Sequence, residues 1–191
     1  MKDISIILAS TTSGGIGYKN SLPWCIPEEL KKFKEITSKV NNIKKKNCVI
    51  MGKNTWYSIP NAPLKNRINI VISNNEYEKL KREINNDDVN VVNSFQDAIN
   101  FVNRNDIIES AFIIGGSQLY NECLSKHIGK IKYIYMSLIV DRNYICDSFV
   151  NTQLIYNNFD INKDDININD KYINMMGINK NYPEIIDEPV D

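Results

Sequence analysis

Histidine is nearly absent from the 191 residues: there is one, His127. A centre needing two histidines is thereby excluded. A Ser-His-Asp triad would have to use His127, which lies in a polar SKHIGK stretch with no nucleophile-elbow motif beside it, and a surface histidine at a helix end is the plainer reading. Cysteine is sparse as well. Cys25, Cys48, Cys123 and Cys146 form no CxxC pair, which argues against a zinc or other metal site, and without an export signal they read as free thiols. There is no charge excess: Lys plus Arg and Asp plus Glu come to 23 each, which speaks against a nucleic-acid or anionic-membrane partner. No apolar run approaches the ~20 residues of a bilayer span. The opening MKDISIILAS turns polar too soon for a signal peptide and reads as a strand. These absences point to a cytoplasmic protein.

What is present is ordinary for a globular chain, 42% apolar and 24% charged. At this length one domain is expected, with boundaries at 1–180. The closing NYPEIIDEPVD, residues 181–191, has four acidic groups, two prolines and no basic residue, so it reads as a tail or the start of a linker. The 28 Asn and 31 Ile are spread through the whole chain, which fits biased codon use better than a low-complexity tract. No internal repeat is visible.

Apolar, β-branched runs at Ile4–Ser10, Cys48–Gly52, Ile68–Ser73, Val89–Val92, Ala111–Gly115 and Ile131–Val140 predict strands. Further strands are expected at Leu154–Ile161 and Tyr172–Ile178, about eight in all. Helical spacing predicts Pro27–Lys39, with Leu30, Phe33 and Ile36 on one face, then Asn75–Ile84, Ser94–Val102 and Ser117–Leu124. Ser94 with Asp97 has the form of an N-cap. Strands alternating with helices imply an α/β fold with a mainly parallel sheet.

Three segments carry chemistry. The first is GGIGYKNSLPWCIPEELKKF, residues 14–33. Its glycines run into Leu22-Pro23-Trp24 and not directly into a helix, so the dinucleotide fingerprint is not met. Glu29 borders the apolar face of the helix that follows, while Glu28 points outward. Two readings stand: Glu29 is an inward acid or ligand anchor with a raised pKa, or both glutamates simply suit the positive helix end. The second segment is AFIIGGSQLY, residues 111–120, a strand, a glycine pair and a helix start that can present backbone N–H groups to an anion. The third is VIMGKNTW, residues 49–56, where Lys53 and Thr55 are able to touch phosphate. Each alone has an ordinary structural explanation, a tight turn or a strand end with a solvated lysine.

In this order and spacing the segments resemble dihydrofolate reductase. The likeness runs through GIG-x4-LPW-x2-P-x-E-x3-F at 15–33, Thr37, VIMGKNTW at 49–56, SIP at 58–60 and PLKNRINIVIS at 63–73. It continues with IIGGSQLY at 113–120, IYMSLI at 134–139 and CDSF at 146–149, covering about residues 3 to 178. The riboflavin-pathway reductase shares the fold but lacks the LPW-x2-P-x-acid segment and an equivalent of Arg67. A nonenzymatic derivative would be marked by loss of the acid or of the glycine pair, and both are kept.

The resemblance implies an eight-stranded, mostly parallel sheet with an antiparallel last strand. It implies reduction of 7,8-dihydrofolate to tetrahydrofolate with NADPH as cofactor, hydride going to C6 and a proton to N5, in support of thymidylate and one-carbon metabolism. Antifolates such as methotrexate are implied ligands. A monomer is expected, and some lineages fuse this enzyme to thymidylate synthase. By the same resemblance, Glu29 holds the pterin, Ser137 (usually threonine) holds Glu29, and Trp24 and Leu22 complete the catalytic set. Ile7, Ala9, Leu30, Phe33, Ile59, Leu64 and Ile114 line the substrate slot, and Arg67 takes the α-carboxylate of the glutamate tail. Cofactor positions are Ala9, Ile16, Gly17, Lys53, Asn54, Thr55, Ser73, Asn74, Gly115, Gly116, Ser117, Gln118 and Leu119. Tyr120 packs beside the nicotinamide, the Gly115–Gly116 peptide is cis, and the loop from about Gly14 to Leu22 closes over the reacting rings. Asn74 and Gln118 stand where many members carry a cation near the adenosine phosphates, and Val150 stands where proline is frequent.

Overall fold

The inner strands are apolar on both faces because helices cover both. In β1 (Ile4–Thr11), Ile4, Ile6 and Leu8 enter one core and Ile7 the other. In β3 (Lys46–Gly52), Cys48 and Ile50 oppose Val49 and Met51 in the same way. A computed structural model describes residues 1–140, 143–162 and 166–183. It adds β4 (Arg67–Ile72), β5 (Val89–Val92), β6 (Ile108–Gly115), β7 (Tyr133–Ile139) and β11 (Tyr172–Asn179) to one sheet. Two short strands, β9 (Phe159–Ile161) and β10 (Asn167–Ile168), pair with β11, so nine strands stand where eight were expected. The order is β10-β11-β7-β1-β6-β3-β4-β5. Pairings from β7 to β5 are parallel, and those of β11 are antiparallel.

One face carries α1 (Pro27–Ser38), α2 (Lys53–Ser58) and α3 (Tyr77–Glu83), which bring Phe33, Ile36, Trp56 and Leu80 to the second core. The other carries α4 (Phe95–Arg104), α5 (Ser117–Lys126) and α6 (Thr152–Asn158). Helix α4 begins where Ser94 accepts the backbone N–H of Asp97, and it buries Phe95, Ala98, Ile99 and Val102 at helical spacing. Each large side chain so buried is worth about 1.5–3 kcal/mol of transfer free energy. His127 caps the end of α5, with its ring against Phe95 and Nε2 3.5 Å from Glu122.

The strand expected over Leu154–Ile161 is a correction. Asn151 caps a helix there by accepting the N–H of Leu154, and Ile155 and Phe159, four apart, both reach the core. Only Phe159–Ile161 is strand. Of the expected tail at 181–191, residues 184–191 lie outside the described residues.

The topology makes the site. From β1 the chain passes to β3, β4 and β5 on one side, then returns to insert β6 between β1 and β3 before placing β7 on the far side of β1. Parallel strands end at a common edge, and the crevice lies where the winding reverses.

Candidate active site

Three strands end side by side at this edge. Met51 at the end of β3 lies in register with Gly115 of β6, and Gly52 with Ile72 of β4. Lys53, Ser73 and the Gly115–Gly116 pair therefore leave the sheet side by side. The Gly115–Gly116 peptide is cis, as is Ala62–Pro63. Gly115 has φ +115°, and a Cβ there would meet the Tyr120 ring at 3.2 Å, so only glycine suits it. A Cβ on Gly116 would come within 3.2 Å of Thr55 Oγ1. Tyr120 is buried, and its hydroxyl donates to the Ile7 carbonyl at 2.7 Å; its ring backs the glycine pair.

Helix α1 packs on β3 and shares a cavity with residues of β1 and β7. Pro27 starts it, and Glu29, Phe33 and Ile36 turn inward. Glu29 is 7% exposed and is the one buried acidic side chain among the described residues. Glu28 faces solvent and pairs with Lys171 at 3.1 Å. Leu30, grouped by its spacing with Phe33 and Ile36, departs from that face and is 48% exposed, because the inward axis of the helix runs through Glu29 and Phe33. Burial pushes the Glu29 carboxyl above its ordinary range, and a hydrogen bond from Ser137 opposes this.

Ser137 belongs to a row. Ala9 on β1, Ser137 on β7 and Asn174 on β11 lie in register across three strands. The Ser137 hydroxyl donates to Asn174 Oδ1 at 2.9 Å. A cavity of about 200 Å³ opens here, with Ile7, Phe33, Ile36 and Met176 among its apolar wall and Glu29, Lys32, Ser137, Asn167 and Asn174 as polar groups. A larger hollow, about 650 Å³ beside Phe101 and Arg104, collects none of the expected site residues.

Ile7, Phe33, Ile59, Leu64 and Ile114 pack into one apolar cluster, while Ala9 lies with Trp24, Ile26, Ile139 and Tyr172 in another. The Trp24 ring is buried edge-on to Tyr144 at 5.7 Å, and its indole N–H has no partner among the described residues. Leu22 is 47% exposed. The loop between them and β1 is tied down by β2 (Gly15–Gly17), which pairs with β8 (Ser148–Phe149), and by Asp147, which accepts the N–H of Lys19 at 2.8 Å. Ile16 is buried beneath it. A Cβ on Gly14 would strike the Val150 carbonyl at 2.5 Å.

Arg67 is 3% exposed. Nη1 donates to Thr37 Oγ1 at 2.8 Å and Nε to the Lys65 carbonyl at 3.0 Å. No carboxylate pairs with it among the described residues, and burial draws its pKa down. Asn69, fully buried, bonds both backbone groups of Leu64 and the Arg67 carbonyl, which fixes this loop. A buried guanidinium with donors to spare suits an incoming carboxylate.

On the opposite side Thr55, Ser117 and Ser73 are at least partly buried, and Asn54, Asn74 and Gln118 are exposed. Leu119 turns into the core. Lys53 is ion-paired with Glu76. Sequence reading missed Asn174 and Glu76. Asn174 is one of many asparagines, and only strand register singles it out; Glu76 sits in a polar turn whose partner is 23 residues away.

A family model described as dihydrofolate reductase matches residues 3–178. A bifunctional dihydrofolate reductase-thymidylate synthase of Paramecium tetraurelia is 33% identical over 98% of this chain, which spans 37% of that protein. A dihydrofolate reductase of Aedes albopictus is 32% identical over 86% of this chain and 90% of its own length. One of Pneumocystis carinii is 38% identical over 78% and 73% respectively.

Proposed function

The chain belongs to the dihydrofolate reductase family, NADPH-dependent enzymes that reduce 7,8-dihydrofolate to tetrahydrofolate, and we propose that Glu29 is the residue on which its own turnover depends. The observation that supports this is a single buried carboxyl, on an apolar cavity, with Ser137 as its polar support. NADPH, when bound, supplies the hydride that C6 of the pterin receives. Glu29 hydrogen-bonds the N3 and 2-amino edge of the pterin, and burial, which raises its pKa, favours the protonated form as N5 is protonated. Ile7, Phe33, Ile59, Leu64 and Ile114 hold the ring in a dry slot, and Arg67 clasps the tail carboxylate. Trp24 and Leu22, with the loop from Gly14, exclude water from the reacting face.

The cofactor positions fit a dinucleotide phosphate. Gly115 and Gly116 leave space that side chains would fill, α5 opens with free backbone N–H groups, and Lys53, Thr55 and Ser73 stand at adjacent strand ends. Four unpaired cysteines suit a reducing cytoplasm, and among the described residues no helix is long and apolar enough to cross a membrane. The working unit is a monomer of residues 1–180 without a nucleic-acid partner, and 181–191 is an acidic, proline-containing tail or the start of a linker.

The decisive experiment follows NADPH oxidation in the near ultraviolet with dihydrofolate as substrate, with and without methotrexate. Dihydrofolate-dependent oxidation that methotrexate abolishes is expected. Oxidation unaffected by methotrexate, or unchanged in Glu29→Gln, refutes the reading.

A further inference from the structure

Lys53 is the cation that the family resemblance offers to the adenosine 2′-phosphate, yet it is not free. Its ammonium is ion-paired with Glu76. Glu76 occupies the turn between β4 and α3, where its backbone N–H donates to Ser73 Oγ at 3.1 Å. Its second carboxylate oxygen lies 3.4 Å from Lys79 Nζ. The glutamate is thus held at three points, and it bridges the two lysines nearest Ser73. Lys53 is the chief cause of its lowered pKa, so the group is fully ionised at neutrality.

This arrangement has a chemical consequence for the cofactor. A 2′-phosphate carries nearly two negative charges and competes with Glu76 for Lys53. Of the cationic positions around it, Asn74 is neutral, and the three side chains Lys53, Lys79 and Glu76 sum to a single positive charge. A bare ribose meets the opposite situation, because a carboxylate accepts the 2′-hydroxyl proton, the device by which dinucleotide sites favour the unphosphorylated cofactor.

We propose that Glu76 is a cofactor-specificity residue, an internal competitor for Lys53 that narrows the preference for NADPH and lets the enzyme also use NADH. The inference rests on the reading of Lys53 and Ser73 as the 2′-phosphate subsite. A cation left free at this position is expected to discriminate by about ten- to a hundredfold, one charge-assisted hydrogen bond. With Glu76 in place the ratio of kcat/KM for NADPH over NADH falls below about tenfold.

The test measures that ratio in the parent, Glu76→Gln, Lys53→Ala and the double variant. It also measures binding of adenosine 2′,5′-bisphosphate against adenosine 5′-phosphate by calorimetry on the ligand-free protein. Glu76→Gln is expected to raise the ratio at least fivefold, improving NADPH and weakening NADH, and to tighten the bisphosphate alone. The double variant is expected to lose that gain. If Lys53→Ala lowers the ratio while Glu76→Gln leaves it unchanged, Glu76 swings aside at no cost and the proposal falls, with the subsite intact. If neither substitution moves the ratio or bisphosphate binding, the subsite is elsewhere and the proposal falls with it.

Discussion

Arg67 offers the most direct numerical test of the site. Its guanidinium has five N–H donors, of which Nη1 serves Thr37 at 2.8 Å and Nε serves the Lys65 carbonyl at 3.0 Å. Among the described residues the remaining donors have no partner, and they are already oriented, because Thr37 is itself anchored by donating to the Phe33 carbonyl at 2.8 Å. Arg67→Lys keeps a charge but loses the fork, and at least one charge-assisted bond goes with it, about 1.5–3 kcal/mol. At about 1.4 kcal/mol per decade, KM for dihydrofolate rises some 10- to 150-fold. Burial also disfavours the lysine ammonium, which pushes the effect to the upper end. The pterin ring is untouched, so kcat changes by less than about threefold. Thr37→Val removes only the orienting contact, about 0.5–1.5 kcal/mol, and raises KM roughly 2- to 10-fold. Steady-state kinetics with dihydrofolate and with a dihydropterin lacking the glutamate separate the terms, and a melting curve checks that each variant folds. A dihydropterin affected as strongly as dihydrofolate by Arg67→Lys would show that Arg67 does not hold the tail.

Glu29→Gln is expected to cut turnover by about 10²- to 10⁴-fold in the same assay, with the parent rate falling as pH rises. The same residue links pH to stability. Its carboxyl pKa is raised in the folded state, so the folded protein holds that proton more tightly than the unfolded chain, and stability is lost as pH rises through the folded pKa. Ligand-free Glu29→Gln therefore unfolds at higher denaturant than the parent above neutrality and matches it below the ordinary carboxylate pKa of about 4.3; an equal gap at both pH values contradicts the buried charge. Glu29 and Asn174 compete for the single Ser137 proton, so Asn174→Leu leaves it to the carboxylate alone, and the pH at which turnover falls moves down; an upward move would mean that the amide donates instead. Gly115→Ala, at φ +115° against the Tyr120 ring, is expected to cost about 1–3 kcal/mol in chemical denaturation.

The inner sheet was legible because β-branched residues in a doubly covered sheet have few alternatives, and β5 at Val89–Val92 is found where the run lies. Spacing left Glu29 open between an inward acid and a helix-end glutamate, and only the packing of the helix shows that it is buried. The rest was hidden for identifiable reasons. Helix α6 carries Asn157 and Asn158 where a helix former would announce it, and its identity comes from the Asn151 cap and from Ile155 and Phe159 entering the core. Leu30 looked inward from spacing alone, but a helix of this length shows several apolar axes and packing chooses among them. Asn174 and Glu76 act through residues 37 and 23 positions away, distances that only strand register closes.

The insertion of β6 has a consequence for synthesis. A nascent chain that has emerged as far as Arg104 already carries Glu29, Lys53 and Arg67, but β1 and β3 share no hydrogen bonds; the strand that joins them is Ile108–Gly115. Until it arrives, β1 is without its central partner, and β3, β4 and β5 form a separate parallel ladder. Such long-range parallel pairing is slow to form. Tetrahydrofolate production therefore begins only after well over half of this chain is made, and a fragment ending before β6 is a substrate for proteases and no partial enzyme. A ligand that binds only the folded site stabilises the finished sheet by mass action and offers the unfinished one nothing.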